Sequence, residues 1–139
     1  MSLKIFLCYA SEDKPVVREI YKRLREDGYE PWLDEENLLG GQDWQEEIPR
    51  SVINSDVVLV CLSTKSTTKK GYVHKEIEYV LDAADERPER AIFLIPLRLE
   101  DCEIPDRLGK WHGVNYYESD GYGKLKKALE AIRDDMYSS

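Results

Sequence analysis

The sequence predicts an α/β domain in which a five-stranded parallel sheet lies between two helical layers. Three observations point there. Five short, apolar, β-rich runs alternate with segments whose apolar residues recur every three to four positions, the pattern of strand-helix-strand units. The run Val57-Val58-Leu59-Val60 shows no polar alternation, as a strand buried on both faces requires. At 139 residues the chain can cover one sheet on both sides but cannot hold two independent cores.

The elements follow in order. Lys4 to Tyr9 reads as the first strand. Asp13 is placed to cap a helix over 14 to 27: Pro15 lies in its first turn, Val16, Val17, Ile20 and Leu24 recur at helical spacing, and Gly28 supplies a stop. Tyr29 to Asp34 is a shorter strand whose Pro31 favours a sheet edge. A loop from Glu35 to Gln42 leads to Asp43, a cap for a helix that buries Trp44, Ile48 and Val52 and is interrupted at Pro49. Asp56 to Leu62 is the central strand. A polar loop then precedes a helix from about Tyr72 to Glu86, with Val73, Ile77, Val80, Leu81 and Ala84 on its apolar arc. Ala91 to Leu97 is the fourth strand, Trp111 to Tyr117 a weaker fifth, and Lys124 to Met136 a closing helix built on Leu125, Leu129, Ile132 and Met136.

With the second strand at an edge, the expected arrangement is flavodoxin-like, strand order 2-1-3-4-5. Ligands in such sheets collect beyond the carboxyl ends of the strands, at the switch point between strands one and three. The loops after Tyr9, Asp34 and Leu62 meet there. Bulk properties narrow the ligand. A net charge of −8 and basic residues scattered without a stripe disfavour nucleic acid. No apolar run approaches the roughly 18 residues of a membrane span, and Met1-Ser2-Leu3 leads directly into the first strand with no room for an export signal. A cytoplasmic domain without membrane association is expected. Cys8, Cys61 and Cys102 form no CxxC pair, and His74 and His112 have no ligand-like spacing, so no metal site is expected.

The strand ends exclude the commonest uses of this architecture. Ser11-Glu12-Asp13 sets two carboxylates where a phosphate loop needs free backbone donors. Cys61-Leu62-Ser63 stands where a receiver domain has its aspartate, and no GxGxxG, Walker, HExxH or GxSxG pattern occurs. Ser63 and Ser66 lack a histidine at motif spacing; loop and capping roles suffice for them. Lys65, Lys69 and Lys70 are either a solvated charge run or a counterweight to a pyrophosphate. Trp32 is either core or a stacking platform. Glu76 lies at the margin of its helix's apolar arc, beside Val73 and Val80. There a carboxylate either pairs with a neighbouring lysine or backbone donor, or faces a ligand; spacing does not choose.

Phe6-Leu7-Cys8-Tyr9-Ala10-Ser11-Glu12-Asp13 resembles the first box of TIR domains, the Toll/interleukin receptor and resistance-protein family. Trp32-Leu33-Asp34 followed by Asn37-Leu38-Leu39-Gly40-Gly41-Gln42-Asp43-Trp44 resembles the second box and its BB loop, and Gly71-Tyr72-Val73-His74-Lys75-Glu76-Ile77 the segment that carries the catalytic glutamate in the NAD-cleaving branch. The resemblance spans about residues 4 to 135 of a single domain, 1–139, and looks closest to bacterial TIR proteins, stand-alone or excised from a longer chain. Two departures stand out: Tyr72 replaces a tryptophan of the enzymatic motif, and Ala10-Ser11 replace arginines found in some animal members.

The resemblance implies an NAD+ nucleosidase that cleaves the nicotinamide-ribose bond to give nicotinamide with ADP-ribose or a cyclic isomer. Glu76 would be catalytic, with Tyr9, Ala10, Ser11, Trp32, Asp34, Ser63 and Tyr72 at the substrate. It implies no cofactor, NAD+ being the substrate. It also implies other TIR domains as partners through Asn37 to Asp43, with activation by oligomerisation in a signalling or antiphage defence system. A different class stays open: a non-catalytic adaptor that assembles through the same BB loop. A nucleoside deoxyribosyl transferase, which also uses a glutamate on a similar fold, is a further enzymatic rival.

Overall fold

A computed structural model describes residues 3–33, 52, 54–64, 93–109 and 111–137. Five strands, β1 (Lys4–Cys8), β2 (Glu30–Trp32), β3 (Val57–Leu62), β4 (Phe93–Arg98) and β5 (Val114–Asn115), form one sheet in the order β2-β1-β3-β4-β5. Every pairing is parallel, with Phe6 opposite Trp32, Cys8 opposite Val60, Leu62 opposite Arg98 and Arg98 opposite Asn115. The expected order and the edge position of the proline-bearing β2 are therefore what the chain adopts. The helices expected around 43–52 and 72–86, and the loop from Glu35 to Gln42, lie outside the described residues, although Val52 is fully buried.

Period-two alternation divides the core. Ile5, Leu7 and Tyr9 of the β1 segment join Val57, Leu59 and Cys61 of β3 and Ile95 and Leu97 of β4 on one face. Two helices bury their apolar stripes against that face: α1 (Lys14–Glu26) with Val17, Ile20, Tyr21 and Leu24, and α2 (Gly121–Tyr137) with Leu125 and Leu129. Phe6, Cys8, Ala10, Val58, Val60, Leu62 and Leu94 point the other way and meet Val52 and Leu108, with Trp32, Cys102, Ile104 and Trp111 half-buried against them. β3 contributes to both faces along its whole length, which is why its sequence carries no polar position. At the amino ends of the strands Asp56 ties β1 to β3: its carboxylate accepts from the Lys4 amide at 2.9 Å and its own amide donates to the Lys4 carbonyl at 2.8 Å.

Helix α1 ends as its sequence directs. Gly28 takes φ +89°, the Tyr29 amide donates to the Leu24 carbonyl at 3.0 Å and the Gly28 amide to Arg25 at 3.1 Å, a Schellman stop that satisfies the last carbonyls. Its start differs from expectation. Asp13 occupies the cap position but makes no side-chain cap bond; it closes a 3-10 turn, Ser11–Asp13, in which its amide donates to Ala10 at 2.9 Å.

The fifth strand is also shorter than the expected 111–117. The Trp111 amide donates to Leu108 and its ring packs into the second core face. Gly113 runs so close to Pro96 that a Cβ would lie 3.2 Å from the Pro96 carbonyl oxygen. Only Val114 and Asn115 are left to pair. Because β5 reaches only Leu97 and Arg98, Pro96 falls outside that ladder and costs it no bond. The closing helix starts three residues earlier than expected, at Gly121, where a Cβ would collide with the Tyr116 carbonyl oxygen.

Candidate functional site

Strand order puts the crevice where the chain turns from β1 outward to β2 and, in the other direction, to β3. On the β1 side the backbone runs Tyr9, Ala10 and into the turn begun by Ser11. The Tyr9 ring lies in the core that α1 covers, and the Ala10 methyl lies in the opposite core. On the β3 side Ser63 follows directly after Leu62. The Ser63 hydroxyl donates to the Asp13 carboxylate at 2.7 Å, linking residues fifty apart in sequence, and both are buried, at 4% and 9% exposure. The carboxyl group stands beside the amino end of α1, where the helix dipole favours negative charge.

Trp32 ends β2 on the second face of the sheet, half-buried, with its indole stacked on Phe6 at 5.1 Å between centroids and 12° between planes. The indole is thus a packed residue, and its register partner Phe6 lies two residues short of the end of β1. Asp34, the loop residues Asn37, Leu38, Leu39, Gly40, Gly41, Gln42 and Asp43, Tyr72 and Glu76 lie outside the described residues, as do Lys65, Lys69 and Lys70. Of the candidate site residues, Tyr9, Ala10, Trp32, Ser63 and the backbone of Ser11 lie within the described residues, and Asp13, a helix-cap candidate in the sequence, lies beside them. No local pattern could have paired Asp13 with Ser63; the only signal was the acidic character of the turn after β1.

The rim continues through β4 and β5. The Thr64 amide donates to Glu100 at 2.5 Å and the Leu99 amide to Leu62 at 2.8 Å, so the loops beyond β3 and β4 are joined. Arg98 at the end of β4 donates to Asn115 at 3.1 Å and to Asp101 at 2.5 Å and lies over the Tyr117 ring, 5.6 Å from its centroid. Beside it opens a groove of about 500 Å³ lined by Ile104, Gly109, Trp111, His112, Gly113 and Asn115 as well as Arg98. Burial pushes the nearby Cys102 thiol above its ordinary range, which makes it a poor nucleophile at neutral pH. Among the described residues no group of three or more His, Cys, Asp or Glu gathers as a metal site, and no helix is long and apolar enough to cross a membrane.

A parallel sheet of order 2-1-3-4-5, with its switch point between β1 and β3, defines the flavodoxin-like class of α/β domains. Within that class residues 5–130 match the TIR domain family, and the chain belongs to it. Among solved structures it is similar to the TIR domain of the Toll-related receptor TRR-2 of Hydra magnipapillata, with a TM-score of 0.74 at 19% identity over 93% of this chain and 99% of that one. It is also similar to the TIR domains of the activated Roq1 resistosome, which directly recognises the pathogen effector XopQ, with a TM-score of 0.59 at 19% identity over 98% of this chain and 78% of that one. These likenesses show the fold. In sequence the chain is 34% identical over 73 residues to the 2′ cyclic ADP-D-ribose synthase BtTIR of Bacteroides thetaiotaomicron, covering 52% of this chain and 25% of that protein. The chain spans about a fifth to a quarter of the length of the curated relatives it matches.

Proposed function

We propose that this TIR domain cleaves NAD+ between nicotinamide and ribose, with Glu76 as the catalytic carboxylate. The observation that carries the reading is the 34% identity to a bacterial protein named as a cyclic ADP-ribose synthase, and Glu76 supplies the acidic group such chemistry needs. The C1′–N bond breaks and its electron pair passes to the pyridinium ring, so nicotinamide leaves neutral and no strong general acid is required. The barrier is the oxocarbenium-like ribose. A carboxylate in a partly desolvated crevice lowers it by electrostatics. Water attack at C1′, with loss of a proton, gives ADP-ribose; attack by a nucleophile within the same molecule gives a cyclic isomer. Trp32 and Tyr72 offer ring faces to the substrate, and Asn37 to Asp43 joins neighbouring TIR domains so that assembly raises turnover in a signalling or defence system.

The test is incubation of concentrated or artificially clustered protein with NAD+ and chromatographic separation of nicotinamide, ADP-ribose and cyclic products. Wild type releases nicotinamide, and Glu76→Gln, checked for folding by circular dichroism, does not. Equal turnover by the folded variant removes Glu76 from the mechanism. Inhibition by deoxynucleosides favours a nucleoside transferase instead.

A further inference from the structure

We infer that Asp13 is a positioning residue of this site: through its bond to Ser63 it fixes the two walls of the crevice, the turn after β1 and the start of the loop after β3, relative to one another. The inference rests on the reading of the crevice as the NAD+ site.

Three observations carry it. First, Asp13 stands at the helix cap yet spends none of its side chain on capping, since no cap bond forms at φ −94°, ψ 2°. Second, its carboxylate is nearly buried and accepts the Ser63 hydroxyl at 2.7 Å across fifty residues of sequence. Burying a carboxylate carries a desolvation penalty that its hydrogen bonds must offset, so a pair of apolar residues would join these loops with less penalty. What the polar pair adds is a fixed direction and distance. Third, each partner is anchored to the rim. The Asp13 amide is held by the Ala10 carbonyl at 2.9 Å, while Leu62 and Thr64, on either side of Ser63, are bonded to the loop after β4 through Leu99 and Glu100. The strut thus joins β1, β3 and β4 at their carboxyl ends, and Ser63 opens the polar stretch that leads in sequence to Glu76.

The experiment measures kcat and KM for NAD+, thermal melting, and amide hydrogen exchange at Ser63 and Thr64 in wild type, Asp13→Ala, Asp13→Asn, Asp13→Ser, Ser63→Ala and the Asp13→Ala/Ser63→Ala double variant, with Glu76→Gln as the inactive reference. Misplacing a reacting group by about 1 Å can cost on the order of 100-fold in rate. Asp13→Ala and Ser63→Ala are therefore expected to lower kcat by roughly 10- to 100-fold with KM little changed. The double variant should lose no more than either single one, because both remove the same link. Asp13→Asn keeps an oxygen in place and should recover most of the rate. Asp13→Ser, a good cap too short to reach Ser63, should melt closer to wild type than Asp13→Ala yet stay as slow. Exchange at Ser63 and Thr64 should quicken wherever the strut is cut.

Full kcat in both single alanine variants, additive losses, or recovery by Asp13→Ser would overturn the inference. A wild type that fails to turn over NAD+ overturns the proposed function instead, and exchange then decides the strut: faster exchange in Asp13→Ala supports it, and unchanged exchange removes it.

Discussion

Trp32 and Phe6 are register partners on β2 and β1, and their rings lie 5.1 Å apart and 12° from parallel. One face of the indole is thus committed to packing at the end of an edge strand only three residues long. The stack adds to the ladder with β1 and to the buried Tyr29 and Leu33 on either side of the strand. Trp32→Ala should cost on the order of 2 kcal/mol in denaturant unfolding, from lost burial and lost stacking, and should raise KM for NAD+. Trp32→Phe should recover most of the stability. If Trp32→Ala unfolds like wild type, β2 is held by contacts other than this stack.

The seam between α1 and α2 carries a second prediction. The Tyr122 hydroxyl donates to Asp27 at 2.5 Å, Arg23 lies 5.1 Å from the ring centroid, and Lys126 approaches Asp27 at 3.6 Å. Burial, then the bond to Asp27 and its negative charge, raise the Tyr122 phenol well above its usual range. Burial also raises the Tyr116 and Tyr29 phenols above the ordinary tyrosine value. The folded state therefore holds these protons where the unfolded chain, with tyrosine near pKa 10, has begun to release them. The associated stability is fully present below about pH 10 and is lost as pH climbs toward the raised folded values. Tyr122→Phe should lose about 1 kcal/mol at pH 8 by removing the bond, and its deficit should shrink by pH 11. Parallel unfolding curves for the two proteins across that range would contradict this assignment.

Much of this architecture is legible in the sequence, because its signals are local. The unbroken apolar run of β3, the proline of β2 and the stop at Gly28 each state one physical requirement, and each requirement is met. The fifth strand misleads because Trp111 and Gly113 look compatible with pairing, whereas their positions are set by Leu108 and Pro96, which no periodicity reveals. The same holds at the site. The rule about strand ends points to the loops after Tyr9, Asp34 and Leu62, and the family resemblance adds Trp32 and Ser63 as candidates, but Asp13 enters through a bond to a residue fifty positions away. Sequence shows it only as an acidic residue before a helix.

Gly28 is a direct probe of how α1 is terminated. Its φ of +89° is a conformation side chains rarely adopt, although a Cβ there would meet nothing within 4 Å. Strain, not collision, is therefore the cost. Gly28→Ala should destabilise by about 1 to 2 kcal/mol, the penalty of a left-handed conformation, while Gly28→Asn should lose less because asparagine tolerates that region. Equal losses in the two variants would point to a contact at Gly28 in place of backbone strain.

The last prediction concerns the loop proposed to join neighbouring domains. Leu38 and Leu39 are adjacent apolar residues in a stretch otherwise rich in glycine and polar groups, on a chain of net charge −8 that resists self-association. Two fates for these side chains have different signatures. If they pack against the domain's own helices, Leu38→Asp and Leu39→Asp bury a charge and lower the melting temperature at every protein concentration. If they dock on a second TIR domain, the variants melt normally, and the loss is confined to turnover that rises faster than linearly with protein concentration. The expected outcome is the second: specific activity of wild type increases on concentration or clustering, whereas the aspartate variants stay at the dilute value. Sedimentation measured with and without NAD+ then checks that the retained activity tracks assembly, and a concentration-independent wild type would leave the loop without the proposed partner.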